Sequence, residues 1–157
     1  MKNKLFLNNK IEIRKSNIHG YGVFANAYIG EGELIEECHY AKIEPPINGT
    51  IDAYHYGWPK IKEGTKITID PDTLQELHPE LKYKIDNNIP FSQKTIVFGF
   101  GSMYNSSETK TTCNVNWYND LINDIFVFEA IKDIEKDEEL CIYYDSDTII
   151  KTLVNKE

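Results

Sequence analysis

Asp137-Glu138-Glu139-Leu140-Cys141-Ile142-Tyr143-Tyr144-Asp145 runs from an acidic turn into a short apolar strand and ends on paired tyrosines. Turn formers ahead of a β-branched and aromatic run mark a strand entry. Paired tyrosines at a strand end most often pack an edge or a core. The opening of this segment has an echo far upstream. Ile134-x-x-Asp137-Glu138-Glu139-Leu140 resembles Ile29-x-x-Gly32-Glu33-x-Ile35: a hydrophobic residue, a polar turn, then a strand. Two short matches do not separate a repeat from chance similarity between β-turns.

Outward from this segment, most of the chain reads as short strands with turn punctuation. Ile11 and Ile13 alternate with charged residues until Asn17–Gly20 interrupts the run. Val23–Ala25, Leu34–Cys38, Lys66–Ile69, Thr95–Phe98, Cys113–Trp117, Ile125–Ala130 and Leu140–Tyr144 follow. Pro45-Pro46, Asn48-Gly49 and Trp58-Pro59 deny the middle any long element. Helical signals are few. Asp72 caps Thr73–Leu77, Pro79 opens a turn or two to about Ile85, and Thr148–Val154 fits one or two more. Short strands without βαβ spacing exclude a doubly wound parallel sheet, and Rossmann-type cofactor binding with it. The fold class read from the chain is mainly β with a few short helices (α+β).

At 157 residues the chain is one domain's worth and can bury a core without staples. No apolar run approaches the ~20 residues of a membrane span. The start offers only Leu5-Phe6-Leu7 as an apolar stretch, too short for a secretion signal, so an intracellular location is expected, nucleus and cytoplasm undistinguished. A net charge of −8 argues against direct nucleic-acid binding and towards basic partners. Asn119 to Asp147 holds ten acids and two lysines, a solvated face or one that attracts a Lys/Arg-rich substrate. Cys38, Cys113 and Cys141 are too few and too scattered for a zinc site or a disulfide framework, and buried inert thiols are expected. The four histidines lack ligand spacing, so no metal is expected.

Two further segments carry chemistry. In His19-Gly20-Tyr21-Gly22-Val23-Phe24-Ala25, paired glycines let the backbone pass close to a ligand with its N–H groups available, although an ordinary turn reads the same way. In Gly99-Phe100-Gly101-Ser102-Met103-Tyr104-Asn105-Ser106-Ser107, a flexible bend leads to an asparagine able both to donate and to accept, as an adenine edge requires, although a capped turn reads the same way.

Taken in order, the three segments resemble those of SET-domain protein lysine methyltransferases. Gly20-Tyr21-Gly22-Val23-Phe24-Ala25 matches the family's G-x-G motif, with Gly32-Glu33-Leu34 following. Asn105-Ser106-Ser107 stands for Asn-His-Ser, and Glu138-Glu139-Leu140-Cys141-Ile142-Tyr143-Tyr144 for E-E-L-x-x-x-Y. Gly99-Phe100-Gly101 and the lack of zinc cysteines look most like the minimal SET proteins of large DNA viruses. The resemblance implies one SET domain over 1–157, with a motif-bearing core of about 11–147 and a short tail, 148–157. It implies several small antiparallel sheets with a knot-like C-terminal threading. S-adenosylmethionine would be contacted by Gly20, Tyr21, Gly22, Asn105 and Ser106. Tyr144 would be the catalytic tyrosine, with Tyr143, Tyr104 and Tyr28 walling a lysine channel.

There are departures from the pattern. Ser106 replaces the usual His, Asn114 follows Asn105 by nine residues rather than about six, Asp137 replaces a turn Gly, and no cysteine-rich segment follows Tyr144. The function implied is S-adenosylmethionine-dependent methylation of lysine in a basic, histone-like protein. The alternative is a catalytically weak module that binds a peptide or partner, which Ser106 favours and the retained Asn105 and Tyr144 oppose. Ile149, Ile150 and Leu153 would share one side of a helical tail, which either docks on its own domain or, the reading preferred, covers a second copy in a homodimer that completes the site.

Overall fold

A computed structural model of the chain describes residues 2–43, 54–60 and 93–144. Period-two alternation gives the first strands. β1 (Ile11–Lys15) pairs antiparallel with β2 (Tyr21–Ala25), Ile11 opposite Ala25 and Lys15 opposite Tyr21. β3 (Leu34–Cys38) pairs with β9 (Ile125–Ala130), which forms a hairpin with β8 (Val115–Asp120). β4 (Tyr40–Ile43), β6 (Gln93–Val97) and β5 (Tyr56–Trp58) make a second three-stranded sheet in that order.

The remaining sheet decides the function. Its order is β1-β2-β10-β7, with β7 (Asn105–Ser106) and β10 (Glu139–Ile142). The last described strand therefore sits between a strand from the chain's start and the asparagine segment. It runs antiparallel to β2 but parallel to β7, Cys141 opposite Asn105 and Ile142 opposite Ser106. Every other strand pair among the described residues is antiparallel, in keeping with the small antiparallel sheets expected. Leu140 and Ile142 are wholly buried. At about 1.5–3 kcal/mol for each fully buried aliphatic side chain, they lock β10 into the interior.

Small sheets dominate, as expected, and helix among the described residues is confined to 3-10 geometry at Tyr54 and over Gly101–Met103. The helices expected over 73–85 and 148–154, and the strand at 66–69, lie outside the described residues, as does the tail on which the homodimer rests. β4 and β5 were not anticipated. Prolines flank both, yet Tyr40, Tyr56 and Trp58 point inward and pack with Trp117 and Phe126 in an aromatic core.

The upstream echo is structural. Ile29 and Ile134 bridge by two reciprocal backbone bonds of 3.0 and 2.9 Å. Gly32 N donates to Ala130 O and Ala130 N to Glu33 O, while Asp137 N donates to Ala25 O and Ala25 N to Glu138 O. Glu33 accepts from Gly30 N as Glu138 accepts from Glu135 N. The two turns form a local pseudo-twofold that joins the start of β3 to the start of β10.

All three cysteines are free and buried, as expected. Burial pushes the Cys141 thiol up to about 12 and the Cys38 thiol further, so both are inert. Among the described residues no helix is long and apolar enough to cross a membrane, and no group of three His, Cys, Asp or Glu could hold a metal ion.

Candidate active site

The register of β2, β10 and β7 carries the Gly22 end of β2 to Asn105. Asn105 is buried, and its Nδ2 donates to His19 O at 3.1 Å, Tyr21 O at 3.3 Å and Glu139 Oε1 at 2.7 Å. A Cβ on Gly22 would collide with the Glu139 carboxylate and stand 2.9 Å from Asn105 Nδ2, so only glycine allows this approach. Gly20, at φ 51°, adopts the left-handed region, and a Cβ there would meet no atom within 4 Å.

Ser16 fastens the loop from below. Its Oγ donates to Glu139 Oε2 at 2.8 Å and accepts from Ile18 N at 2.9 Å, while its N–H donates to Gly20 O at 2.9 Å. Sequence reasoning passed over Ser16, although a serine opening the Asn17–Gly20 break is a side-chain turn signal.

Asn114 keeps a role despite its longer spacing. Cys141 N donates to its Oδ1 at 2.8 Å, and its Nδ2 donates to Glu139 O at 2.9 Å. The amide so continues the ladder of β10, while Thr109 and Thr112 tie the extra loop residues together. Ser106 is half-buried, opposite Ile142, and turns its hydroxyl to Ser107 O at 3.1 Å.

Tyr144 meets the same segment from the far end of β10. Its hydroxyl donates to the backbone carbonyl of Tyr104 at 2.8 Å, one residue before Asn105. The ring is half exposed, but desolvation on its inner side, then Tyr54 and Cys141, push the phenol's pKa up. Tyr56 lies close enough for Tyr144 to raise its pKa in turn, after the larger effect of its own burial. Tyr54 and Tyr56 were missed at this site. The alternating run Tyr54-His55-Tyr56-Gly57-Trp58 held the signal, obscured by its neighbouring prolines.

The other expected tyrosines divide. Tyr143 is half-buried beside Tyr144. Tyr104 differs from expectation: its ring is 1% exposed, stacked on Phe128 at 4.8 Å, with its hydroxyl donating to Glu36 Oε1 at 2.7 Å. Its carbonyl, rather than its ring, faces Tyr144. Tyr28 stands past the opposite end of β2 from Gly22, its phenol engaged with Asp133, and does not join the group around Asn105. Tyr21 is exposed at the glycine loop.

One small sheet that brings a glycine loop, a buried asparagine and a strand-end tyrosine together defines a class of β protein whose polar groups gather where β2, β10 and β7 meet. The family model for the SET domain matches residues 20–145, and the chain belongs to the SET domain family. Among solved structures it is similar to a Plasmodium falciparum candidate histone methyltransferase, at 24% identity over 90% of this chain and 97% of that one, with a TM-score of 0.56. It is also similar to the methyltransferase domain of human PR domain-containing protein 2, at 15% identity over 92% and 83%, again with a TM-score of 0.56. Both are likenesses of fold. No curated protein matches the chain.

Proposed function

We propose that the chain is an S-adenosylmethionine-dependent protein lysine methyltransferase acting on a basic protein. The observation that carries this reading is the hydrogen bond from Tyr144 to the Tyr104 carbonyl. It commits the phenol's proton to the backbone, so the oxygen can only accept from a ligand. With its pKa pushed up, the phenol stays neutral. A neutral acceptor orients an amine through its N–H groups and takes no proton itself. The lysine amine must first give up its proton to water, and a partly desolvated site beside a positive sulfonium would lower its pKa from about 10.4. Tyr54 and Tyr143 are the aromatic neighbours suited to walling that site.

The residues fit the cofactor on two observations. Asn105 Oδ1 takes no bond from a described residue while Nδ2 is fully used, which leaves an acceptor for an adenine amino group. Gly20 faces open space, so the backbone of Gly20, Tyr21 and Gly22 can be approached closely. S-adenosylmethionine would supply a sulfonium methyl open to displacement by the neutral amine. Exposed Asp133, Glu135, Asp137 and Glu138 give the surface a sign suited to a basic, histone-like target. The Gly99-Phe100-Gly101 bend supports the finer reading of a minimal, zinc-free domain of the viral kind.

The test joins two measurements on the purified chain: thermal stability with S-adenosylmethionine, and methyl transfer to a lysine-rich peptide. A ligand at a hundred times its Kd stabilises by about 2.7 kcal/mol. Tyr144→Phe is expected to keep that stabilisation while kcat falls at least tenfold, about 1.4 kcal/mol of barrier. Stabilisation without transfer would identify the peptide-binding module instead, and no stabilisation would overturn the cofactor reading.

A further inference from the structure

Glu36 is an unusual residue to find in the middle of this fold. It is 2% exposed, and among the described residues no cation faces it. Its neighbour Glu37 is also buried, but takes Lys2 and Phe6 N at 3.0 Å. A lone buried carboxyl is costly to keep, and burial pushes the Glu36 pKa up. An aliphatic side chain would fill the space at less cost, so the position asks what the carboxyl holds.

It holds both ends of one short segment. Oε2 accepts from Phe100 N at 3.3 Å, where the glycine bend begins, and Oε1 accepts from the Tyr104 hydroxyl at 2.7 Å, where it ends. Between these points Met103 N donates to Phe100 O at 2.8 Å and Ser102 Oγ to Val97 O at 2.7 Å. Gly99, at φ 71°, lets the chain pass close by, since a Cβ there would sit 3.1 Å from Oε2. Tyr104 is then fixed twice, by the stack of its ring on Phe128 and by the tie of its hydroxyl. The next peptide group carries the carbonyl that accepts from Tyr144 and the N–H of Asn105.

We infer that Glu36 and Tyr104 are positioning residues that clamp this turn and so aim the Tyr104 carbonyl at Tyr144. The inference rests on the reading of Tyr144 as the catalytic tyrosine. Neither residue touches substrate. They act through the peptide plane between Tyr104 and Asn105.

Tyr104→Phe tests the clamp most cleanly, because it deletes one oxygen and keeps the stack on Phe128. The expected result is a kcat lower by about 3- to 10-fold with the S-adenosylmethionine Kd within about twofold of wild type. In the double variant with Tyr144→Phe the loss should be no greater than for Tyr144→Phe alone, because both act through one bond. Glu36→Ala should lower kcat likewise, and Glu36→Gln, which keeps the acceptor for the phenol but sets an N–H against Phe100 N, should regain only part of it.

A second readout is independent of turnover. The Asn105 amide nitrogen is bonded to the Tyr104 carbonyl carbon, so its NMR resonance reports what that oxygen accepts. Both Tyr104→Phe and Tyr144→Phe should move it. Losses that multiply in the double variant, or an Asn105 resonance unmoved by Tyr104→Phe, would overturn the clamp. A moved resonance in a chain that transfers no methyl group would uphold the clamp and sink the enzyme reading alone.

Discussion

Gly32 and Asp137 occupy matching places in the two turns joined by the Ile29–Ile134 bridge, and both are left-handed, with φ of 81° and 72°. Glycine takes that conformation without strain and aspartate tolerates it, whereas other side chains clash with their own backbone. The aspartate copy also reaches Arg14, whose guanidinium donates to Asp137 Oδ1 at 2.7 Å across the β1–β2 hairpin.

Gly32→Ala should therefore cost about 1 kcal/mol, purely from backbone conformation. A Cβ at Gly32 would meet nothing within 4 Å, so no steric term adds to it. Urea unfolding reads the change as a lower midpoint with an unchanged slope. A variant as stable as wild type would show that the turn can relax out of the left-handed region.

Gly22→Ala acts through the opposite cause. Its φ is ordinary, but the added methyl would push the Glu139 carboxylate and the Asn105 amide apart. Binding of S-adenosylmethionine should weaken at least tenfold by calorimetric titration, while circular dichroism keeps its β signature. Unchanged affinity would place the cofactor away from this hairpin.

These two glycines show how much of the protein was legible in its sequence. The resemblance carried by the G-x-G, Asn-Ser-Ser and E-E-L-x-x-x-Y segments implied that these distant stretches meet, and β2, β10 and β7 are neighbours in one sheet. The sequence echo marked the two turns, but not the Ile29–Ile134 bridge that joins them. The apolar run Ile125–Ala130 located β9 to the residue. What escaped was set by tertiary contact rather than local pattern. Glu36 reads as one more surface acid until Tyr104 and Phe100 are seen to close over it. Tyr104 reads as a channel wall until Phe128 is found under its ring. β7 is two residues long, too short to show any periodicity, and exists because β10 offers it a ladder.

Asn105→Ala removes three donations and leaves Glu139 with Ser16 as its remaining side-chain partner. Losing a buried amide partner costs about 1–3 kcal/mol of stability. Cofactor affinity should fall further than stability does, because the Oδ1 acceptor is lost as well. Titration with S-adenosylmethionine beside urea unfolding separates the two effects. An unchanged Kd would move the adenine site elsewhere.

The buried phenols and thiols set the last expectation, for alkaline pH. Burial raises the pKa of Tyr56 and Tyr104 well above the ordinary 10.0, and that of Cys141 from 9.0 to about 12. Cys38 is raised further by burial and by the nearby Glu36 carboxyl. The unfolded chain loses these protons at ordinary values while the folded chain keeps them. Between the two ranges the folded state binds more protons, so stability falls as pH rises. The contribution is complete below the unfolded thiol pKa of 9.0 and is lost through the phenol range towards the folded values. Each such group adds a slope of about 1.4 kcal/mol per pH unit while only the unfolded form is ionised. Urea midpoints should therefore hold level from about pH 7 to 8 and drop steeply by about pH 10.5. Tyr56→Phe removes one titrating phenol, together with its bond to Gly101 O, and should make the alkaline slope shallower from a lower plateau. A midpoint that stays level to about pH 10.5 would mean that these hydroxyls and thiols reach water in the folded protein.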